Sequence, residues 1–213
     1  MKLDGVKINF LGDSITEGAG TTEPERCFHQ LIEEKYNLSV ANNYGVSGTR
    51  IARQTEPTRE NTKFDLTFEL RSEVMDREVD AVVVFGGTND FGHGDAHFGD
   101  VDSDSENIYT FCGALNSLIS KLKTDFPSAK IVFMTPLHRM TENELSLPDN
   151  KKLSDYVDAI REICVKRGVD VIDLFAINPI DINDKLLLPD GLHPSDAGHE
   201  IMAEVIGNAL LEL

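Results

Sequence analysis

The sequence predicts an α/β fold, a three-layer α/β/α sandwich built around a five-stranded parallel sheet. Five short apolar runs, each long enough for one strand, are separated by segments with helical periodicity. Continuous apolar runs are typical of strands that are covered on both faces. Strands that alternate with helices favour parallel pairing through right-handed crossovers. At 213 residues, with no low-complexity tract, we expect one domain that spans residues 1–213.

The predicted strands are the apolar runs themselves. In chain order they cover residues 6–11, 38–44, 79–85, 130–135 and 169–174.

The predicted helices fill the intervals and the C-terminal segment. Segment 105–125 places apolar side chains three and four residues apart, as one buried helix face requires. Gly168 is a typical C-terminal stop, and Ser195 after Pro194 is a typical N-cap. The five predicted helices cover residues 24–36, 61–77, 105–125, 151–167 and 195–211.

Composition excludes several classes of partner and location. The net charge of −17 opposes binding to nucleic-acid phosphates and to anionic lipid surfaces, so no nucleic-acid or membrane partner is expected. No apolar run approaches the roughly 20 residues that span a bilayer, and the first residues do not resemble a signal peptide. Three scattered cysteines favour buried thiols in a reducing compartment, so we expect a cytoplasmic location.

Two motifs near opposite ends of the chain supply the groups of a serine nucleophile. Gly-Asp-Ser-Ile-Thr at 12–16 closes the first predicted strand, and Asp-Gly-Leu-His-Pro stands at 190–194. A serine hydroxyl needs a base within hydrogen-bond reach, and that base needs an orienting group. We therefore expect Ser14 as nucleophile, His193 as base and Asp190 as the partner of the imidazole.

Two further blocks offer hydrogen-bond donors for an oxyanion. Gly-Val-Ser-Gly at 45–48 and Gly-Thr-Asn-Asp at 87–90 each follow a predicted strand. Because sites in such sheets form outside the carboxyl ends of the strands, these blocks should converge on Ser14. The expected donors are the backbone N–H groups of Ser14 and Gly48 and the side-chain amide of Asn89. Asp13 and Asp90 are expected to accept hydrogen bonds from backbone amides that hold these loops.

The four ordered blocks resemble those of the SGNH hydrolases, also called GDSL-type esterases and lipases. The residues that give that family its name would here be Ser14, Gly48, Asn89 and His193, and the resemblance spans residues 8–198. The first block has isoleucine where the family name has leucine. The resemblance implies the flavodoxin-like fold of SGNH hydrolases and hydrolysis of ester or thioester bonds, but it does not fix the substrate.

The motif residues could also have purely structural roles. Ser14 could be a helix N-cap, and Asn89 and Asp190 could serve only as turn residues. Ser47 is a weak competitor for the nucleophile, because its Gly-x-Ser-x-Gly pattern ends in Thr49 instead.

Residues outside these motifs give weaker signals. The segment that follows Asn89 is predicted to be a flexible substrate loop that includes Phe91, His93, His97 and Phe98. Asp13 and His138 are further substrate-binding candidates. No metal site is assigned, because the aspartates at 100–104 lack the glycine and the terminal glutamate of a calcium loop.

We expect a serine esterase that needs no cofactor and acts on a small-molecule ester. Short acyl chains, such as acetyl groups on a carbohydrate or another small polar alcohol, are favoured because no apolar lid is visible in the sequence. Three alternatives stay open: a lysophospholipase, a thioesterase, and a non-catalytic flavodoxin-like module that binds a ligand. The oligomeric state is not predicted.

Overall fold

The structure is a computed structural model, and it describes residues 1–54 and 66–213. In this part of the chain one sheet has five strands, all parallel, in the order β2-β1-β3-β4-β5. The strands are β1 (Lys7–Gly12), β2 (Val40–Gly45), β3 (Ala81–Phe85), β4 (Lys130–Met134) and β5 (Asp170–Ile172). The predicted α/β sandwich with a five-stranded parallel sheet is therefore confirmed, with no strand end shifted by more than two residues.

The strand register brings three carboxyl ends level with one another. Gly12 at the end of β1 pairs with Gly45 of β2 on one side and with Phe85 of β3 on the other. The chain passes from β1 to β2 and then returns across β1 to β3, so the winding reverses between β1 and β3. In open parallel sheets this reversal leaves a crevice at the carboxyl edge.

Helices cover both faces of the sheet. Those described are α1 (Ser14–Glu17), α2 (Phe28–Tyr36), α3 (Phe68–Arg71), α4 (Thr88–His93), α5 (Phe111–Asp125), α6 (Leu153–Lys166), α7 (Leu174–Ile177) and α8 (Asp196–Glu212). Apolar residues of α3, α5 and α6 pack on one face of the sheet, and those of α2 and α8 pack on the other. Alternate strand residues supply the two cores: Val82 and Val84 face the first, and Val83 and Phe85 face the second.

Local hydrogen bonds explain where the helices differ from their predicted bounds. Segment 105–125 becomes helical only at Phe111, because Thr110 is the N-cap and its side chain accepts a hydrogen bond from the backbone N–H of Gly113. The turns before it are closed by hydrogen bonds from backbone N–H groups to Asp, Ser and Asn side chains. Segment 24–36 divides at Cys27 into a 3-10 turn and α2. Within 61–77, residues 61–65 lie outside the described part, and only 68–74 are helical.

Three short helices were not predicted, and each begins just beyond the end of a strand. They are α1, α4 and α7, which follow β1, β3 and β5. Runs of four to six residues are too short to give an apolar period in the sequence. Two of them begin at the functional motifs, because Ser14 opens α1 and Asn89 is the second residue of α4.

Candidate active site

Ser14 lies one residue beyond the end of β1, as the first residue of α1. The cap of this helix is Asp13, whose carboxylate accepts a hydrogen bond from the backbone N–H of Ile15 at 3.1 Å. The N-cap alternative for Ser14 is therefore wrong, and its hydroxyl is left for another partner. Ser14 Oγ donates to His193 Nε2 at 2.9 Å.

The turn into α1 requires glycine at position 12. A Cβ placed there would lie 2.0 Å from Thr16 Oγ1 and 2.9 Å from the carbonyl oxygen of Phe85. The close approach of β1, β3 and α1 thus leaves no space for a side chain, which fixes the path of the backbone just ahead of Ser14.

His193 and Asp190 are held by one four-residue turn. The Nδ1–H of His193 donates to Asp190 Oδ2 at 2.7 Å, and the backbone N–H groups of Leu192 and His193 donate to Asp190 Oδ1 at 2.8 and 2.7 Å. The φ of Gly191, +79°, allows the turn to close. Partial burial acts to raise the pKa of Asp190, but these hydrogen bonds and the nearby imidazole lower it below its ordinary value.

The three side chains therefore form one chain of hydrogen bonds from serine to carboxylate. With its proton on Nδ1 directed at Asp190, the ring of His193 presents the lone pair of Nε2 to the Ser14 hydroxyl. This is the tautomer that can accept a proton from serine. The ionised Asp190 would stabilise the imidazolium that such a transfer creates.

The proposed oxyanion donors lie on the two neighbouring segments. The Asn89 side chain donates to the carbonyl oxygen of Thr49 at 3.1 Å, which leaves its second amide hydrogen free to point elsewhere. The backbone N–H of Gly48 finds no acceptor among residues 1–54 and 66–213. The N–H of Ser14, at the first helical position, cannot be satisfied within its own helix.

Glycine at position 48 is explained by backbone conformation. Its φ is +75°, a region that other residues rarely adopt, whereas a Cβ there would meet no atom of residues 1–54 and 66–213 within 4 Å. Within the described part of the chain, no neighbouring atom excludes a side chain here, so backbone conformation and not lack of space favours glycine.

Asp13 and Asp90 are buried carboxylates that hold the loops of the site. Asp90 accepts from the backbone N–H groups of Ile51 and Ala52 at 3.1 and 2.8 Å, and Asp13 caps α1. Burial raises the pKa of each to about 6, against the opposing effect of these hydrogen bonds and of nearby cations. Both contacts are those expected from the sequence.

The structure does not bring all of the substrate-binding candidates to the triad. The ring of Phe91 is buried against Tyr156, and the buried carboxylate of Asp13 caps α1. His138 uses both ring nitrogens, one with Glu142 Oε2 at 2.7 Å and one with the carbonyl of Phe175 at 3.0 Å. The assignment of Phe91, Asp13 and His138 to substrate binding stays a prediction.

Of the remaining candidates on that loop, one lines a cavity. His93 is the last residue of α4, and it borders a cavity of about 220 Å³ between this helix and the loop 141–147. His97 lies off the helix and pairs with Asp149 at 3.1 Å, while Phe98 is buried against Phe111 and Tyr156. The predicted substrate loop is therefore anchored by its aromatic residues.

Sequence reasoning missed two residues that are central to the site, Arg71 and Thr49. Arg71 Nη2 donates to the Thr49 hydroxyl at 2.8 Å and to the carbonyl of Gly12 at 2.9 Å. No sequence motif marks either residue, because Arg71 lies in a segment that was read only as an amphipathic helix. An arginine in a mixed polar and apolar segment gives no sign of its buried partners.

The described part of the chain offers no evident metal or membrane-spanning feature. In residues 1–54 and 66–213 no three His, Cys, Asp or Glu side chains are grouped as ion ligands would be. None of the helices described there is both long and apolar enough to cross a bilayer.

Comparison with known proteins identifies a family and several similar folds. A model of the GDSL-like lipase/acylhydrolase family matches residues 10–201. One solved structure shares 30% identity, with a TM-score of 0.87 over 100% of this chain and 99% of that one. A Lactobacillus plantarum protein shares 24% identity, with a TM-score of 0.78 over 99% and 98% of the two chains. An acetyl xylan esterase shares 23% identity, with a TM-score of 0.67 over 96% and 100%. No curated protein matches the sequence.

Proposed function

Because the chain belongs to the GDSL-like lipase/acylhydrolase family of hydrolases, we propose that it cleaves carboxylic esters through an acyl-enzyme on Ser14. The observation that carries this proposal is the continuous hydrogen-bond chain from Ser14 Oγ through His193 to Asp190, with distances of 2.9 and 2.7 Å. A lone serine is a poor nucleophile, and this arrangement supplies both the base and its orienting carboxylate.

In the first half-reaction Ser14 Oγ attacks the ester carbonyl carbon while Nε2 of His193 takes the hydroxyl proton. The carbonyl oxygen becomes an oxyanion, which the N–H groups of Ser14 and Gly48 and the amide of Asn89 stabilise. The carbon–oxygen bond to the alcohol then breaks, and His193 returns the proton to the leaving alkoxide. The products are free alcohol and an ester on Ser14.

In the second half-reaction a water molecule replaces the alcohol. His193 removes a proton from the water as it attacks the acyl carbon, and the same donors hold the second oxyanion. When the bond to Ser14 breaks, the proton on His193 passes to the serine oxygen. Asp190 remains ionised throughout and stabilises the imidazolium in both steps.

The substrate that we favour carries a short acyl group, such as acetyl, on a carbohydrate or another small polar alcohol. The fold is shared with an acetyl xylan esterase, and the net charge of −17 opposes binding to anionic lipid surfaces. A lysophospholipase or thioesterase is the second candidate. It is favoured by exposed apolar side chains beside the site, namely Met140, which contacts Gly191, and Leu145 and Leu147, which line the cavity near α4.

The location that we propose is cytoplasmic. All three cysteines are buried as free thiols, and burial raises the pKa of Cys27, Cys112 and Cys164 to about 12. Thiols of this kind are typical of a reducing compartment.

A series of p-nitrophenyl esters from acetate to decanoate tests the proposal. We expect release of p-nitrophenol from the acetate ester and a fall in kcat/KM as the chain lengthens. Each methylene buried in a true acyl tunnel would contribute about 0.8 kcal/mol, so a steady rise would favour the lysophospholipase or thioesterase. A transient mass increase of one acyl group on Ser14 identifies the intermediate. The absence of turnover with every ester would contradict the esterase assignment.

A further inference from the structure

Arg71 is a buried cation among the segments that carry the oxyanion donors. It ends α3, and only 7% of it is exposed. Its guanidinium donates to the carbonyls of Gly12 and Tyr44, to the hydroxyl of Thr49 and, through Nε, to the carbonyl of Leu66 at 3.2 Å. One side chain thus connects the carboxyl ends of β1 and β2 with the loop that follows β2.

Thr49 passes this connection on to two of the donors. Its hydroxyl, which accepts from Arg71, also donates to the carbonyl of Val46 at 2.6 Å and so closes the turn that contains Gly48. Its own carbonyl accepts the Asn89 amide at 3.1 Å and thereby orients that side chain. If Thr49 shifted, the N–H of Gly48 and the amide of Asn89 would shift together.

The third donor is tied to Arg71 along the chain. Gly12, whose carbonyl accepts from Nη2 at 2.9 Å, precedes the N–H of Ser14 by two residues. We propose that Arg71 is a positioning residue that sets the mutual geometry of the three oxyanion donors, mainly through Thr49. This inference rests on the proposed esterase function.

Arginine suits this position better than any other residue. Its planar fork offers five N–H donors in fixed directions, whereas lysine offers a point charge on a flexible stem. The guanidinium carbon lies 4.7 Å from the ring centre of Phe68, which supports it from one side. Burial lowers the pKa of Arg71 to about 10, against the effect of the Asp13 and Glu17 carboxylates, so the group stays cationic at neutral pH.

The first experiment measures kcat and KM for p-nitrophenyl acetate in Arg71→Met and Arg71→Lys. Donors that act on the transition state affect kcat far more than substrate binding. For Arg71→Met we expect kcat to fall about tenfold to hundredfold while KM changes less than about threefold, because the donors are displaced rather than deleted. Arg71→Lys keeps the charge without the fork, so it should restore less than about a third of the lost rate.

Arg77→Met provides a matched control. Arg77 also lies 4.7 Å from a phenylalanine ring, that of Phe126, and also donates to a backbone carbonyl, that of Glu73. It precedes β3, whereas the site lies beyond the carboxyl end of that strand. This variant should keep kcat within about twofold of the parent enzyme.

A trifluoromethyl ketone provides a readout that a purely structural role would not move. Its adduct with Ser14 carries an oxyanion, so its Ki should rise in Arg71→Met by about the factor by which kcat falls. An unchanged Ki in a folded Arg71→Met variant would overturn the inference. So would an Arg71→Met enzyme as active as Arg77→Met.

Thr49→Val keeps the test decisive even if Arg71→Met does not fold. It deletes only the hydroxyl that Arg71 contacts and should lower kcat about threefold to tenfold, with little change in KM. Where both singles fold, part of the effect of the hydroxyl depends on Arg71, so the double variant should lose less activity than the product of the two single losses. Additive losses of activity in the double variant, or a Thr49→Val enzyme with full kcat, would contradict the proposal that Arg71 acts through Thr49.

Ester turnover by the parent enzyme distinguishes a failure of the inference about Arg71 from a failure of the proposed esterase function. Ester turnover by the parent together with unchanged Arg71→Met and Thr49→Val variants would overturn the inference alone. No turnover by the parent, in spite of a folded protein by circular dichroism, would overturn the proposed function and the inference with it.

Discussion

The two halves of the candidate site are built in opposite ways. The acid–base half is a single turn, residues 190–193, and the side chains of Asp190 and His193 are 55% and 25% exposed. The oxyanion half is assembled from three distant segments; Ser14, Asn89 and the supporting Thr49 are buried, and Gly48 is exposed at the rim. The side chains of the first half are local and partly exposed, whereas those of the second half are brought together from distant segments and are buried.

This difference predicts at which residues water can take the place of a lost hydrogen-bond partner. A group near solvent can exchange a lost protein partner for water at modest cost, whereas a buried polar group cannot. We therefore expect the acid–base half to depend on proton placement, and the oxyanion half to depend on geometry. The predictions below test this contrast, from the largest effect to the smallest.

Removal of the nucleophile should have the largest effect, since both halves act on it. Ser14→Ala should lower kcat/KM for p-nitrophenyl acetate by more than about ten-thousandfold without a loss of folded structure. Ser47→Ala is the control, because the Ser47 hydroxyl donates to Glu17 and not to the His193 base, and it should stay within about threefold. Retained activity in the first variant would mean that another residue is the nucleophile.

The acid–base half should respond more to asparagine than to alanine at position 190. In Asp190→Asn the side-chain oxygen would keep the two backbone N–H donors, so the amide NH₂ would face Nδ1 of His193. That contact would place the ring proton on Nε2, which then could not accept the proton of Ser14.

The expected loss in kcat for Asp190→Asn is about a thousandfold to ten-thousandfold. In Asp190→Ala water can accept from Nδ1, because the site is exposed, so the loss should be at least about tenfold smaller. Steady-state kinetics of the two variants decide the point. Equal rates would show that the carboxylate acts through charge alone and not through proton placement.

Loss of one donor in the oxyanion half should have a smaller effect. Asn89→Ala should lower kcat about a hundredfold, or about 3 kcal/mol, with KM nearly unchanged. Asn208→Ala on α8, whose side chain accepts from the hydroxyl of Tyr36, is the control and should keep full activity. A large rise in KM with normal kcat would instead place Asn89 in substrate binding.

The smallest effect concerns the stability of the fold at low pH, which depends on the buried His29 of α2. His29 supports α1 by donating to the carbonyl of Thr16 at 3.1 Å, and burial lowers its pKa to about 4 despite this bond. The unfolded chain takes up this proton near pH 6.5 and the folded protein only near pH 4, so the stability of the fold falls between these values.

His29→Gln removes the titrating imidazole, so comparison with the parent gives the contribution of His29 to the pH dependence of the free energy of unfolding. Between pH 8 and pH 5 the parent should lose about 2 kcal/mol more stability than the variant. Urea unfolding at the two pH values measures the difference. A parallel decline in both proteins would mean that His29 is not buried in its neutral form.

The same contrast explains what the sequence could predict. The strands and long helices carry apolar periods, and the turn at 190–193 is local, so both could be read directly from the sequence. Ser14, Gly48 and Asn89 could be assigned because each follows a strand, and carboxyl ends of parallel strands share one edge. Their convergence follows from topology and needs no knowledge of side-chain contacts.

The parts that could not be predicted depend on long-range contacts. Arg71 lies 22 residues beyond Thr49 in sequence, and their hydrogen bond depends on the packing of α3 at the edge of the sheet. Phe91 was predicted to lie in a flexible substrate loop, and His138 was predicted to contact substrate because it follows a strand. Phe91 is instead buried against Tyr156, and His138 stacks on Phe175. Position after a strand predicts the edge of the sheet but not the direction of the side chain.

Labelling with a fluorophosphonate tests the central claim, activation of Ser14 by His193, most directly. The probe forms a covalent bond only with an activated nucleophile, so mass spectrometry of the digested protein should find it on Ser14 alone. His193→Ala should react at least about a hundredfold more slowly, and Ser14→Ala should not react. Labelling at Ser47, or equal rates in the parent and His193→Ala, would contradict the account.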